Sequence, residues 1–181
     1  MHVLFVHQTF PAQFGHIAKY LVEQHDFRCT FVSEKRDGMV AGIERIQYQC
    51  RSGATQNTHI CSRTFENQIW HSQAVVDALQ ARPDVRPDLI VGHSGFASTL
   101  FLRELYDCPI VNYFEYFYRT VNSDFDFRHD LPQPDRLHAM RARARNAMLL
   151  LDLDNCDAGY SPTRWQRDQL PTIYQIGRAH V

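Results

Sequence analysis

The densest concentration of chemistry in the chain is Tyr113-Phe114-Glu115-Tyr116-Phe117-Tyr118-Arg119, five aromatic residues around one carboxylate. Aromatic faces stack on the C–H faces of a sugar, and a carboxylate accepts hydrogen bonds from its hydroxyls. Glu115 can serve such a ligand, or it can be a surface acid paired with Arg119. Tyr113 and Phe117 read as core. A second constellation is Gly92-His93-Ser94-Gly95-Phe96. A Gly-x-Ser-x-Gly turn between strand and helix exposes a serine nucleophile for acyl transfer. Here the fifth position is Phe96. The later histidines, His129, His138 and His180, do not follow a late strand, where the base of such a hydrolase belongs. A serine hydrolase using Ser94 is therefore the subordinate reading. The other is a tight turn in which Ser94 caps a helix and His93 faces a cleft.

Two acidic triplets occur, Asp124-Phe125-Asp126 and Asp152-Leu153-Asp154. Paired carboxylates can hold a divalent cation on a nucleotide sugar. The second triplet falls in a predicted helix, where positions i and i+2 do not share a face. The first falls in a loop and reads as solvated. No metal site is expected. The arginines Arg136, Arg141, Arg143 and Arg145 could bind phosphate, but their spacing spreads them around a helix, as on a solvated face. The first apolar run leads into His7-Gln8-Thr9-Phe10 and not into a glycine fingerprint, so side chains would obstruct a dinucleotide pyrophosphate. No P-loop motif occurs. No cofactor is expected.

These residues need elements to hold them. His2 to Val6 is a short, mostly apolar run of the kind buried on both faces in a parallel sheet. From Ala12 the positions Phe14, Ile17, Ala18, Leu21 and Val22 step by three and four, which predicts a helix with one apolar face. Further strands are predicted at Arg28 to Ser33, Ile43 to Gln49, Leu89 to Val91 (cut by Gly92), Pro109 to Phe114 and Ala158 to Tyr160. Helices are predicted at Phe65 to Ala81, Phe96 to Tyr106, Arg136 to Asp154, and from Pro162 onward. Residues 116–135 read as a long loop. Alternating strands and helices imply an α/β fold, a Rossmann-like doubly wound parallel sheet. Ligands of such sheets sit at the carboxyl ends of the strands, which singles out His7, Gln8, Ser33, Glu34, His93, Ser94, Glu115, Tyr116 and Ser161.

The whole chain agrees with this frame. Its 181 residues suit one domain, and 44% are hydrophobic. Nineteen Lys and Arg nearly cancel 20 Asp and Glu, which excludes nucleic-acid binding by bulk charge. No apolar run approaches the roughly 20 residues needed to cross a bilayer, and the first residues lack a basic leader, so a cytoplasmic chain is expected. Cys29, Cys50, Cys61, Cys108 and Cys156 are scattered and odd in number, which argues for free thiols.

Five blocks in order carry a resemblance over residues 1–175. They are His7-Gln8-Thr9-Phe10-Pro11-Ala12-Gln13-Phe14, Gly92-His93-Ser94-Gly95-Phe96, Tyr113-Phe114-Glu115-Tyr116-Phe117-Tyr118, Arg143-Ala144-Arg145-Asn146 and Ser161-Pro162-Thr163-Arg164-Trp165-Gln166. Together they resemble a bacterial branch of the family-4 glycosyltransferases. The resemblance implies the N-terminal, acceptor-side half of a GT-B architecture, in which two Rossmann-like domains face across a cleft. It implies sugar transfer from a nucleotide-sugar donor to a glycan or lipid-linked acceptor, with retention of configuration and without a metal. It leaves room for peripheral membrane association. Many members carry a histidine after the fifth strand that approaches the reacting sugar; here Glu115 stands at that position and is the expected catalytic residue, with His7, Gln8, Phe10, His93, Ser94 and Tyr116 expected to bind substrate. The turn after the first strand departs from the glycine pair of many members. The alternative is a stand-alone sugar- or partner-binding module. The expected boundaries are an acceptor-side domain over 1–175 and a non-native tail over 176–181, with the C-terminal donor-binding domain absent and this fragment alone inactive. The tail Ile176-Gly177-Arg178-Ala179-His180-Val181 reads as the translation of a sequencing-adapter read, ATC GGA AGA GCA CAC GTC.

Overall fold

All five residues of β1 (His2–Val6) are buried, as the middle of a doubly covered parallel sheet requires. The computed structural model describes residues 1–123, 130 and 135–175. The later strands are β2 (Thr9–Phe10), β3 (Arg28–Ser33), β4 (Lys35–Arg36), β5 (Ile43–Gln47), β6 (Leu89–His93), β7 (Ile110–Tyr113) and β8 (Ala158–Tyr160). Six of the strands form one parallel sheet in the order β5-β3-β1-β6-β7-β8. The chain runs outward from β1 through β3 to β5, then returns to the other side of β1 at β6. That reversal is the topological switch point, where a crevice opens at the strand ends.

The period of two along β1 sorts the core into two halves. Val3 and Phe5 join Phe14, Ala18 and Phe31 beneath α1 (Gly15–His25). Leu4 and Val6 face the opposite way, toward Val75 and Leu79 of α2 (Arg63–Gln80) and Leu149 and Leu153 of α3 (Arg136–Asn155). Each fully buried Phe or Leu contributes about 1.5–3 kcal/mol over an exposed one. Two short helices, α4 (Arg164–Gln169) and α5 (Thr172–Gln175), close the chain, with Leu170 between them in the second core. Side chains cap two helices. Asp135 accepts from the His138 amide at the start of α3, and Thr163 from the Gln166 amide at the start of α4.

Several expectations change. Residues 12–14 form a separate 3-10 turn before α1, and Ile17, expected on the apolar face, is 50% exposed. Only Leu100–Glu104 is helical in the predicted helix at 96–106, and it is 3-10. The two-residue pairing of β2 with β4 is too short to leave a period in the sequence. Gly92 does not cut the fourth strand; β6 runs through it to His93. A Cβ there would lie 2.4 Å from Thr99 Cγ2 and 2.6 Å from Asn112 Oδ1. Those two buried side chains hydrogen-bond each other across the strand, so they cannot easily yield. Gly92→Ala is expected to lower stability by about 1–3 kcal/mol, read as a lower urea midpoint. An unchanged midpoint would show that the Thr99–Asn112 pair moves aside freely. None of the five cysteines is in a disulfide, and Cys29, Cys108 and Cys156 are buried. Among the described residues, no helix is long and apolar enough to cross a membrane.

Candidate functional site

Because β1 and β6 are neighbours in register, the residues just past their ends meet. The rings of His7 and His93 lie 5.3 Å apart, and Phe96 stacks nearly parallel on His7 at 5.4 Å. β7 pairs with the other side of β6 and delivers Glu115, whose Oε2 comes within 3.3 Å of His93 Nε2. The expected convergence of His7, His93 and Glu115 at the carboxyl edge is therefore present.

The neighbours of His93 set its state. Gln13, in the 3-10 turn before α1, reaches His93 Nδ1 through its amide nitrogen. An amide nitrogen only donates, so Nδ1 accepts and the imidazole proton sits on Nε2. Burial, with His7 beside it, pushes the His93 pKa down to about 3, so the ring is neutral at physiological pH. His93 is thus a hydrogen-bond donor toward the cleft. It cannot act as a base through Nε2 without losing this arrangement. Its side chain is 3% exposed, whereas that of Glu115 is 51% exposed. Nε2 makes no hydrogen bond to Glu115 despite the short approach. Arg119 does not pair with Glu115; it donates to the Gln169 carbonyl and lies over the Phe117 ring.

A cavity of about 380 Å³ opens here, with Gln8, Gln68, His93, Glu115, Tyr116 and Arg145 among its walls. The Arg145 guanidinium sits 4.2 Å over the Tyr118 ring. The site, with Gln166 also on its wall, thus offers a neutral donor, a carboxylate, three amides, a cation and aromatic faces, a set suited to a hydroxylated ligand.

Ser94 also borders the cavity but is 4% exposed, and its hydroxyl donates to Asp152 Oδ2 at 2.6 Å. Ser98 donates to the other oxygen of the same carboxylate. This corrects two expectations. Ser94 neither caps a helix nor stands as an exposed nucleophile; it ties the β6 turn to α3. The second acidic triplet divides as its helical spacing implies, with Asp152 fully buried and Asp154 exposed. Burial pushes the Asp152 carboxyl up to about 6, against the two serine hydrogen bonds.

The remaining expected residues separate. Gln8 and Tyr116 line the cavity. His7 stands behind it, with Nδ1 2.9 Å from the Thr9 carbonyl, and burial lowers its pKa. Phe10 is a core residue and not a binding residue in this arrangement: it is buried, with its ring edge-on to Phe31 at 4.9 Å. Residues 124–129, with the first acidic triplet and His129, and residues 176–181 lie outside the described residues. Sequence reasoning missed Gln13, Gln68 and Gln166, and it read Arg145 only as part of a solvated face. Gln68 did leave a signal, since it shares the buried stripe of α2 with Ser72, Val75 and Leu79 at helical spacing.

The glycosyl transferase family 4 group model matches residues 25–181. No curated protein matches the chain. Among solved structures, a Phytolacca americana glycosyltransferase, UGT2, in its apo form is 9% identical, with a TM-score of 0.57 over 90% of this chain and 46% of that one. The same protein complexed with UDP-2fluoro-glucose and pterostilbene is 10% identical, with a TM-score of 0.55 over 90% of this chain and 48% of that one. A Polygonum tinctorium UDP-glucosyltransferase, described as capable of glucosylating indoxyl and solved with 3,4-dichloroaniline, is 14% identical, with a TM-score of 0.50 over 88% and 46%. The chain thus spans about half the length of the structures it matches, and the likeness is one of fold.

Proposed function

Since the chain belongs to the glycosyl transferase family 4 group and forms half of a GT-B glycosyltransferase, we propose that residues 1–175 are the acceptor-side domain of a retaining, metal-independent enzyme. That enzyme moves a sugar from a nucleotide-sugar donor to a glycan or lipid-linked acceptor. The observation that carries this reading is the polar cavity at the switch point, with Glu115 and His93 facing each other on its wall. Glu115 accepts from the attacking hydroxyl of the acceptor. His93, neutral and oriented by Gln13, donates to a neighbouring oxygen. Tyr116 and Tyr118 supply faces for the sugar ring. Ser94 and Asp152 hold the turn that carries His93.

Transfer requires donor and acceptor within reacting distance in one closed cleft, and this half supplies one wall of it. The turn after β1 presents side chains, not a glycine cradle for a diphosphate. The 181-residue chain alone is therefore expected to give no product with UDP- or GDP-sugars by mass spectrometry, and no micromolar binding of them by calorimetry. Joined to a family-4 donor-binding domain, it is expected to transfer. Turnover by the chain alone would put the donor site here. Binding of sugars without transfer in the joined protein would favour a stand-alone binding module.

A further inference from the structure

Two buried side chains on the cavity wall each carry a polar atom with no hydrogen-bond partner among the described residues: Gln68 Oε1 and His93 Nε2. Both residues are at least nine-tenths buried. Leaving such atoms unpaired is costly, and native proteins rarely do so without a reason. The two are complementary. Gln13 fixes the proton on His93 Nε2, which makes it a donor, while Gln68 Oε1 is an acceptor. The Gln68 amide nitrogen borders the turn at Gly95, one residue from Ser94, and all three residues line the same cavity. The carboxylate that approaches His93 Nε2 belongs to Glu115, which is half exposed and makes no hydrogen bond to it. Glu115 can swing outward and let a ligand atom take its place.

We infer that Gln68 and His93 both read hydroxyls of the acceptor, which makes Gln68 a specificity-determining residue and the acceptor a sugar, not a flat aromatic compound. A hydroxyl both donates and accepts, so a polyhydroxylated ligand in the cavity they share can satisfy both orphaned atoms once the side chains over them shift. An aromatic ring would leave both unpaired, and a site built to hydrogen-bond a hydroxyl discriminates strongly against ligands that lack it. The rest of the wall agrees, since Gln8, Thr64 and Gln166 add polar groups while Tyr116 and Tyr118 offer faces for C–H groups. This inference rests on the acceptor-side reading.

The test is NMR on the 15N-labelled 181-residue chain, with binding followed on the ligand and the histidine ring nitrogens followed on the protein. The probes are the methyl glycosides of glucose, galactose and mannose, the monodeoxy analogues of whichever binds best, and pterostilbene as the aromatic probe. At least one glycoside is expected to bind saturably and to shift the His93 Nε2 nitrogen resonance. Gln68→Leu should weaken that binding at least about tenfold, as should removal of one particular hydroxyl. Gln68→Glu, which keeps an acceptor oxygen, should retain binding and certifies that position 68 tolerates change. Equal binding by Gln68→Leu, an unmoved His93 resonance, pterostilbene binding in place of the glycosides, or no binding at all would each overturn the inference. Transfer by the joined, two-domain protein to an aromatic acceptor would overturn it too, while leaving the proposed function standing.

Discussion

Glu115→Gln, made in the chain joined to a donor-binding domain, is expected to lower kcat/KM by about 10–1,000-fold, or about 1.4–4 kcal/mol of transition-state stabilisation. The carboxylate stands just past the end of β7, half exposed, and faces a cavity and not the core. As the acceptor oxygen bonds to the sugar's anomeric carbon, that carbon's bond to the donor phosphate breaks, the nucleotide leaves and the hydroxyl proton loosens toward Glu115, so a charged acceptor gains interaction energy that a neutral amide lacks. Glutamine keeps the size and shape of glutamate, so the loss should fall mainly on kcat if Glu115 acts in the transition state. It should fall mainly on KM if Glu115 only holds the acceptor. The urea midpoint of the isolated chain should scarcely move, because an exposed side chain at a cleft edge bears little of the fold. Wild-type kinetics in the variant would reduce Glu115 to a surface acid.

The second large effect is a pair of opposed pH dependences inside one wall. His93 is held neutral in the fold, with its pKa pushed down to about 3 by burial and by His7. The unfolded chain protonates this imidazole near its ordinary pKa of about 6.5. Its contribution is therefore present above about pH 6.5 and lost as pH falls toward 3, by about 4–5 kcal/mol in all. Asp152 behaves in the opposite way. Burial raises its carboxyl to about 6 in the fold, against about 3.9 unfolded, so its contribution is complete below about pH 4. It is lost as pH rises through 6, by about 3 kcal/mol. In urea titrations of the chain, wild type should gain about 2 kcal/mol on Asp152→Asn as pH falls from 7 to 4. Wild type should lose about 4 kcal/mol against His93→Gln from pH 7 to 3.5. Profiles parallel to wild type in either variant would show that the group is not held in the state described.

The positions that end strands were legible before the fold. The short apolar run at His2–Val6 and the alternation of strands with helices define a doubly wound sheet, and such a sheet brings the residues just past its strands to one edge. That reasoning placed His7, His93 and Glu115 together. It failed where a side chain's direction decides the outcome. Phe10 comes after the first strand as His7 does, yet it turns into the aromatic core with Phe31. The serine of the Gly-x-Ser turn looked available for chemistry, yet its hydroxyl points to a buried carboxylate 58 residues away.

By itself, the sequence determined the parallel sheet and the few polar residues that end its strands. Those depend on periodicity and short-range spacing, which a linear chain carries openly. Only the tertiary structure decided the protonation of His93, the inward commitment of Ser94 to Asp152, and the arrival of Gln68, Arg145 and Gln166 from three separate helices. These depend on desolvation and on contacts between residues far apart in the chain, and the one local trace is the place of Gln68 on the buried stripe of α2. A glutamine on such a stripe looks the same in the sequence whether it meets a packed core or the wall of a cavity, because only packing decides which atoms lose their partners.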